Sequence, residues 1–209
     1  MNTPTHGRGT FVTLDGPGGV GKSTVTRLIT EQLVTAGLAA HPTREPSDAT
    51  LGKLARHGTE LFRGRTMAHL IAADRYMHVD EEIRPALEQG RTVICDRYVA
   101  SSLVLQVLDG VPHDVVWDMN RYALRPDLSV ILTADPEVIE KRLTDRGAHS
   151  RYEREPGSTE RECAGFRTAG SFLVGAGFQV LQLDATTTSA EDIARAIVTA
   201  IRVVRRGNA

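Results

Sequence analysis

Residues Gly16-Pro17-Gly18-Gly19-Val20-Gly21-Lys22-Ser23 fill the pattern G-x-x-x-x-G-K-[ST] at every position. The run before it, Thr10–Asp15 (TFVTLD), is short and β-branched and reads as a buried strand. After it, Val25, Leu28, Ile29 and Leu33 recur at helical spacing until Gly37. Strand, glycine loop and helix in that order give the pattern its physical meaning. Glycines let the backbone N–H groups turn inward, and the helix N-terminus adds favourable partial charge for a phosphate. Gly16, Gly18, Gly19, Val20, Gly21, Lys22, Ser23 and Thr24 are therefore the expected ATP-binding segment. Lys22 is placed to reach the β- and γ-phosphates, and the Ser23 hydroxyl to ligate Mg²⁺. Arginine outnumbers lysine 22 to 3, so this lysine is not drawn from a lysine-rich background.

The rest of the chain alternates strand and helix patterns. Ala39–Thr43, Thr92–Asp96, Leu128–Ala134 and Phe178–Leu183 read as further strands. Helical patterns run from Ala68 to Leu87, along the stripe Val115, Val116, Met119, Tyr122 and Ala123, from Pro136 to about Arg146, and from Ala190 to Val204. The alternation predicts a single α/β domain over residues 1–209, a five-stranded parallel sheet with helices on both faces; together with the phosphate loop, this resembles the three-layer P-loop NTPase fold. In such sheets chemistry gathers at the carboxyl ends of the strands. Residues 147–165 hold Gly, Pro, Ser and many charges with little apolar periodicity, and read as an exposed, mobile lid.

Charge narrows the function. With 25 basic against 26 acidic residues the chain of 209 lacks the basic excess of a nucleic-acid or membrane-surface protein. No apolar run approaches the roughly 18 residues of a membrane span, and no hydrophobic signal core opens the sequence. Cys95 and Cys163 make no disulfide framework or metal spacing, and a cytoplasmic protein is expected. Among phosphate-loop proteins a GTPase is excluded, because the guanine-reading N-K-x-D is missing. The loop glycines are similar to those of partition-type ATPases, but Pro17 stands where those carry an extra lysine.

Five further motifs fall in register: Thr43-Arg44-Glu45-Pro46, Ala73-Asp74-Arg75, Asp96-Arg97-Tyr98-Val99-Ala100-Ser101-Ser102, Arg125-Pro126-Asp127-Leu128 and Asp184-Ala185-Thr186. In this order and spacing, from about Gly9 to Ile201, the chain resembles the thymidylate kinases, a family of P-loop nucleoside monophosphate kinases. The resemblance implies ATP and Mg²⁺ as donor, dTMP as acceptor and a homodimer. It implies that Arg97 and Arg44 hold the acceptor phosphate and that Arg75 lies against the acceptor base, with Glu45, Ser101 and Gln106 nearby. Asp96 and Asp15 are candidates for Mg²⁺, beside Ser23. Arg151-Tyr152-Glu153 resembles an Arg-x-Glu signature of the family's lid. Because Gly18, Gly19 and Val20 bring no charge, the catalytic arginine is expected from that segment, as Arg151 or Arg154. Arg142, Ala185 and Thr186 are expected at the adenine. Physics supports the class independently: moving a phosphoryl group to an anionic acceptor crowds negative charge, which forked guanidiniums and a metal offset.

Three positions depart from the family, all at the acceptor nucleoside. Gly18 stands where many members have an acid, Ile71 where an aromatic commonly stacks on the base, and Leu105 where a tyrosine often precedes the Gln106 position. Losing such a platform forfeits about 1–3 kcal/mol of stacking. Two enzyme readings follow: a thymidylate kinase with a divergent pocket, or a paralogue that phosphorylates a modified nucleotide or another phosphorylated small molecule. A partition-type or regulatory ATPase is the reading from a different class.

Overall fold

Every residue of the first strand, β1 (Thr10–Asp15), is buried, and it lies at the centre of one sheet. The computed structural model describes residues 8–147 and 157–207. The sheet joins β1 to β2 (Ala40–Arg44), β3 (Thr92–Asp96), β4 (Leu128–Thr133) and β5 (Val180–Asp184), in the order β2-β3-β1-β4-β5. All four pairings are parallel, with Thr10 opposite Thr92 and Val12 opposite Leu128. β1 is flanked by β3 on one side and β4 on the other, so the strand order reverses there. The crevice that this reversal opens lies at the ends Asp15 and Asp96.

Alternation along the strands sends side chains to two cores. Phe11, Val93, Cys95 and Ile131 face one side, with Ile83, Tyr98, Leu103, Phe166 and Leu173. Val12, Leu14, Ile94, Val130 and Leu132 face the other, with Val25, Ile29, Ile139, Ile197 and Ile201. The helices are α1 (Lys22–Thr35), α2 (Thr50–His57), α3 (Gly64–His78), α4 (Arg84–Glu88), α5 (Val99–Leu108), α6 (His113–Asn120), α7 (Pro136–Arg146), α8 (Ser158–Gly175) and α9 (Ala190–Gly207). α3 runs into α4 through one π turn, Val79–Ile83. Pro85 supplies no N–H to the carbonyl four residues back, and the widened turn, closed by Arg84 N–H on Val79, absorbs that loss.

Three elements differ from expectation. α2 gave no sequence signal because its buried face consists of Gly52 and Ala55. A β-carbon at 52 would collide with the Ser47 backbone, so glycine there lets α2 lie on the turn after β2. The expected long helix starts four residues earlier, at Gly64. The expected lid, 147–165, runs into α8 from Ser158 onward, while residues 148–156 lie outside those described. Its buried face of Ser158, Thr159, Glu162, Cys163 and Phe166 has helical spacing but is half polar, which hid the period. Cys163 is correspondingly a core residue of α8, not a lid residue. Among the described residues, no helix is long and apolar enough to cross a membrane.

Candidate active site

The phosphate loop leaves β1 at Gly16 and enters α1 at Lys22. Gly21 sits at φ 105°, a backbone region that only glycine adopts cheaply, and this aims the first amides of α1 into the crevice. The Lys22 ammonium is buried and donates to the Gly16 carbonyl at 2.9 Å and the Pro17 carbonyl at 2.8 Å. Burial, then repulsion from Arg97, lowers its pKa to about 8, against the attraction of Asp96, Glu162 and Asp15. A cation held this way gains from any anion delivered beside it.

Ser23 and Asp96 meet across the crevice, with Ser23 Oγ donating to Asp96 Oδ2 at 2.8 Å. The other oxygen, Asp96 Oδ1, is buried with no hydrogen-bond partner among the described residues. A hydroxyl beside a carboxylate with one oxygen unused is a hard-oxygen donor set suited to Mg²⁺. Asp15 is built differently. Its Oδ1 accepts from Tyr98 N and Ser101 N, each at 2.9 Å, and from Ser101 Oγ at 2.7 Å, which locks the first turn of α5 to the end of β1. Burial raises its pKa, and the hydrogen bonds and Arg97 only partly offset that.

Arg97 occupies the tip of β3 at φ 74°, the one non-glycine residue among those described with positive φ. Such a conformation costs about 1–3 kcal/mol and persists only when its surroundings impose it. Here Arg97 N–H donates to the Leu14 carbonyl while the Tyr98 and Ser101 amides are drawn to Asp15. The result aims the guanidinium across the crevice, with Nη1 3.3 Å from Ser101 Oγ and 3.5 Å from the Gly16 carbonyl.

Around these groups runs one cleft of about 800 Å³. At one end it is lined by Arg142, Ala185, Thr188, Ala190 and Ile193, with Arg142 Nη2 donating to the Ala185 carbonyl at 3.0 Å. Gly18–Val25, Asp96 and Arg97 form its middle. At the other end stand Arg44, Glu45, Arg56, Met67, Ile71, Leu105 and Gln106. Gln106 Oε1 is buried with no partner among the described residues, between the apolar Ile71 and Leu105 of the same wall. Arg44 and Arg56 each hold Asp48 at 2.8 Å, and the two guanidiniums lower its pKa to about 2. Arg56 Nη2 also donates to the Pro46 and Ser47 carbonyls, fixing the turn that presents Glu45.

A family model described as thymidylate kinase matches residues 14–168. A probable thymidylate kinase of Caldivirga maquilingensis is 36% identical over 148 residues, covering 69% of this chain and 72% of the relative. A probable thymidylate kinase of Thermococcus gammatolerans is 37% identical, with 70% and 76% covered. A thymidylate kinase of an Exiguobacterium species is 37% identical, with 77% and 80% covered. The chain belongs to the thymidylate kinase family. It is therefore an enzyme of the nucleoside monophosphate kinase class.

The expected site residues divide between the surface of the cleft and its supports. The cleft brings together Gly18–Thr24, Arg44, Glu45, Ile71, Asp96, Arg97, Leu105, Gln106, Arg142 and Ala185. Asp15, Gly16, Arg75, Ser101 and Thr186 are not among the described residues that line it. Arg75, expected against the acceptor base, is only 1% exposed. Its Nε and Nη2 pair with Glu45 Oε2 at 2.8 and 2.7 Å, its Nη1 reaches Ser102 Oγ and Asn120 Oδ1, and it lies 5.0 Å from the Tyr98 ring centre. A guanidinium so fully engaged braces Glu45 and the cleft wall from behind. Ser101 likewise links Arg97 to Asp15, whose Oδ1 accepts the three hydrogen bonds that anchor α5. Thr186 Oγ1 accepts from Asp135 N at 2.9 Å, tying the β5 turn to the start of α7. Arg151 and Arg154 lie outside the described residues. Arg56, Met67 and Thr188 escaped the sequence reading because each belongs to the cleft only through folding. Arg56 lies on α2, where no element was expected.

Proposed function

We propose that this enzyme transfers the γ-phosphoryl group of ATP, with Mg²⁺, to dTMP, forming dTDP and ADP. The observation that carries this reading is the single cleft, with the phosphate loop at its centre, an arginine pair beyond it, and a pocket ended by the Gln106 amide oxygen, which has no partner among the described residues. That oxygen is free to accept an N–H from a pyrimidine edge. The relatives named as thymidylate kinases or probable thymidylate kinases point to the same acceptor.

In this reading the α1 amides and Lys22 hold the donor's β- and γ-phosphates, and the adenine lies along Arg142 and Ala185. Arg97, with Arg44 behind it, holds the acceptor phosphate as the attacking oxygen lines up. Ser23 and Asp96 are the residues that would hold Mg²⁺, which when bound offsets charge on the phosphate oxygens. Arg151 or Arg154 would bring a further positive charge over the migrating phosphoryl, and closure of that segment would exclude water. No covalent intermediate is needed, since positioning and electrostatics suffice for this reaction. By family resemblance the working form is a homodimer.

ADP release from MgATP, measured against dTMP, dUMP, CMP and non-nucleotide phosphates, tests the reading. Turnover should rise sharply with dTMP. Inert dTMP alongside turnover of another acceptor would transfer the assignment to a paralogue, and ADP release indifferent to every acceptor would point to a regulatory ATPase.

A further inference from the structure

Glu162, one turn into α8, is 4% exposed, and its Oε2 accepts the Gly18 N–H of the phosphate loop at 2.9 Å across 144 residues of sequence. A carboxylate against a loop built to receive anions calls for an explanation. Gly18 is itself buried, so its amide would lack a partner if Glu162 withdrew. Around this contact Pro17, Gly18, Leu143, Ser158, Thr159 and Glu162 close on one another. Gly19 abuts α7 equally tightly, since a β-carbon there would lie 3.0 Å from Leu143. The outer wall of the loop is thus made by α7 and α8 jointly. α8 is also the element that leads directly out of the segment carrying Arg151 and Arg154.

We infer that Glu162 is a positioning residue for the donor site: its carboxylate oxygen, by accepting the Gly18 amide, docks the start of α8 on the phosphate loop and holds Gly18–Val20 in the anion-receiving conformation. The inference rests on Gly16–Thr24 being the donor site. Glu162 assigns the Gly18 N–H to the protein, leaving the amides at the start of α1 to the phosphates. The bond to Gly18 needs an acceptor oxygen at the right reach and no negative charge, so an amide of the same length should serve.

The test compares Glu162→Ala, Glu162→Gln and Glu162→Asp in the full chain. MgADP binding by calorimetry, steady-state constants for ATP and dTMP, and thermal melting are measured together. Glu162→Ala should weaken MgADP binding and raise the ATP KM about tenfold, with the dTMP KM moving less than threefold. Glu162→Gln should return both donor constants to within threefold of wild type. A general packing defect would move both substrates together. Wild-type or tighter MgADP binding by Glu162→Ala overturns the inference, as does Glu162→Gln being as impaired as Glu162→Ala. Should the alanine variant fail to fold, Glu162→Asp decides. Its shortened carboxylate keeps the charge but cannot reach Gly18, so a tenfold loss supports the inference and unchanged affinity overturns it. Failure of the wild type to bind MgADP would instead overturn the donor-site reading itself.

Discussion

The two ends of the cleft are built by different means. The donor end is made largely of main chain. The amides expected to face phosphate, at the start of α1, and the side chains that matter, Lys22 and Ser23, belong to one continuous stretch. The acceptor end is assembled from β2, α2, α3, β3 and α5. Its charged groups are held by ion pairs reaching across the fold, such as Arg75 to Glu45, 30 residues apart. A local motif tolerates drift elsewhere in the chain, whereas a wall built by long-range pairs can be altered one residue at a time. The phosphate loop accordingly matches its pattern at every position, whereas Ile71 and Leu105, expected departures from the family, lie in the acceptor wall.

The contrast predicts which changes stop chemistry and which unsettle the fold. Lys22→Ala should lower kcat/KM by about 10²–10³-fold, as loss of a preorganised charge contact at a reacting centre does, with little change in melting temperature. Normal turnover would remove Lys22 from the phosphate site. Arg75→Leu should act in the opposite way, destabilising the fold by about 3–5 kcal/mol because the buried Glu45 loses its guanidinium and keeps only His78 at 3.3 Å. Urea denaturation reads this directly, and a stable variant that has merely lost dTMP affinity would return Arg75 to the base-reading role. Arg44 is exposed and paired with an exposed Asp48, so Arg44→Ala should change stability by less than about 1 kcal/mol while raising the acceptor KM.

The pH dependence sharpens the donor side. Lys22 has its pKa lowered to about 8, so between there and the ordinary lysine value the unfolded chain binds more protons than the native one. Native stability from this group therefore rises with pH across that window. Phosphate binding runs the other way, because it needs the charged form. MgADP affinity should fall above about pH 8, approaching tenfold per pH unit, with close to one proton taken up on binding. Calorimetry in buffers of different ionisation enthalpy measures that proton, and binding with no proton uptake at pH 9 would contradict it. The smallest effect is expected at Ile71. Ile71→Phe should lower the dTMP KM by up to about tenfold, the size of a restored aromatic contact, and leave the ATP KM unchanged.

How far the residues alone could be read follows the same division. β1, β3 and β4 were legible because each is a continuous apolar run between turn residues. Gly16–Ser23 was legible because its chemistry depends on consecutive residues in a local turn. α2 and the first turns of α8 were not, because their buried faces are glycine, alanine, serine, threonine and glutamate, which carry no hydrophobic period. Arg75 and Asp15 were located in their motifs, but the groups that meet their side chains were not legible. Nothing in Ala73-Asp74-Arg75 indicates that Glu45, Ser102 and Asn120 will converge on the guanidinium.

Pattern and periodicity sufficed for the α/β class, the phosphate loop and the family, since hydrophobic alternation and a glycine turn act over neighbouring residues. Which arginines face the cleft and which brace it from behind, that Asp96 meets Ser23 while Asp15 meets the start of α5, and that Glu162 meets Gly18 emerged only with the folded chain. Those outcomes depend on competition for hydrogen-bond partners in a desolvated interior, and that competition is settled by distances between residues far apart in sequence.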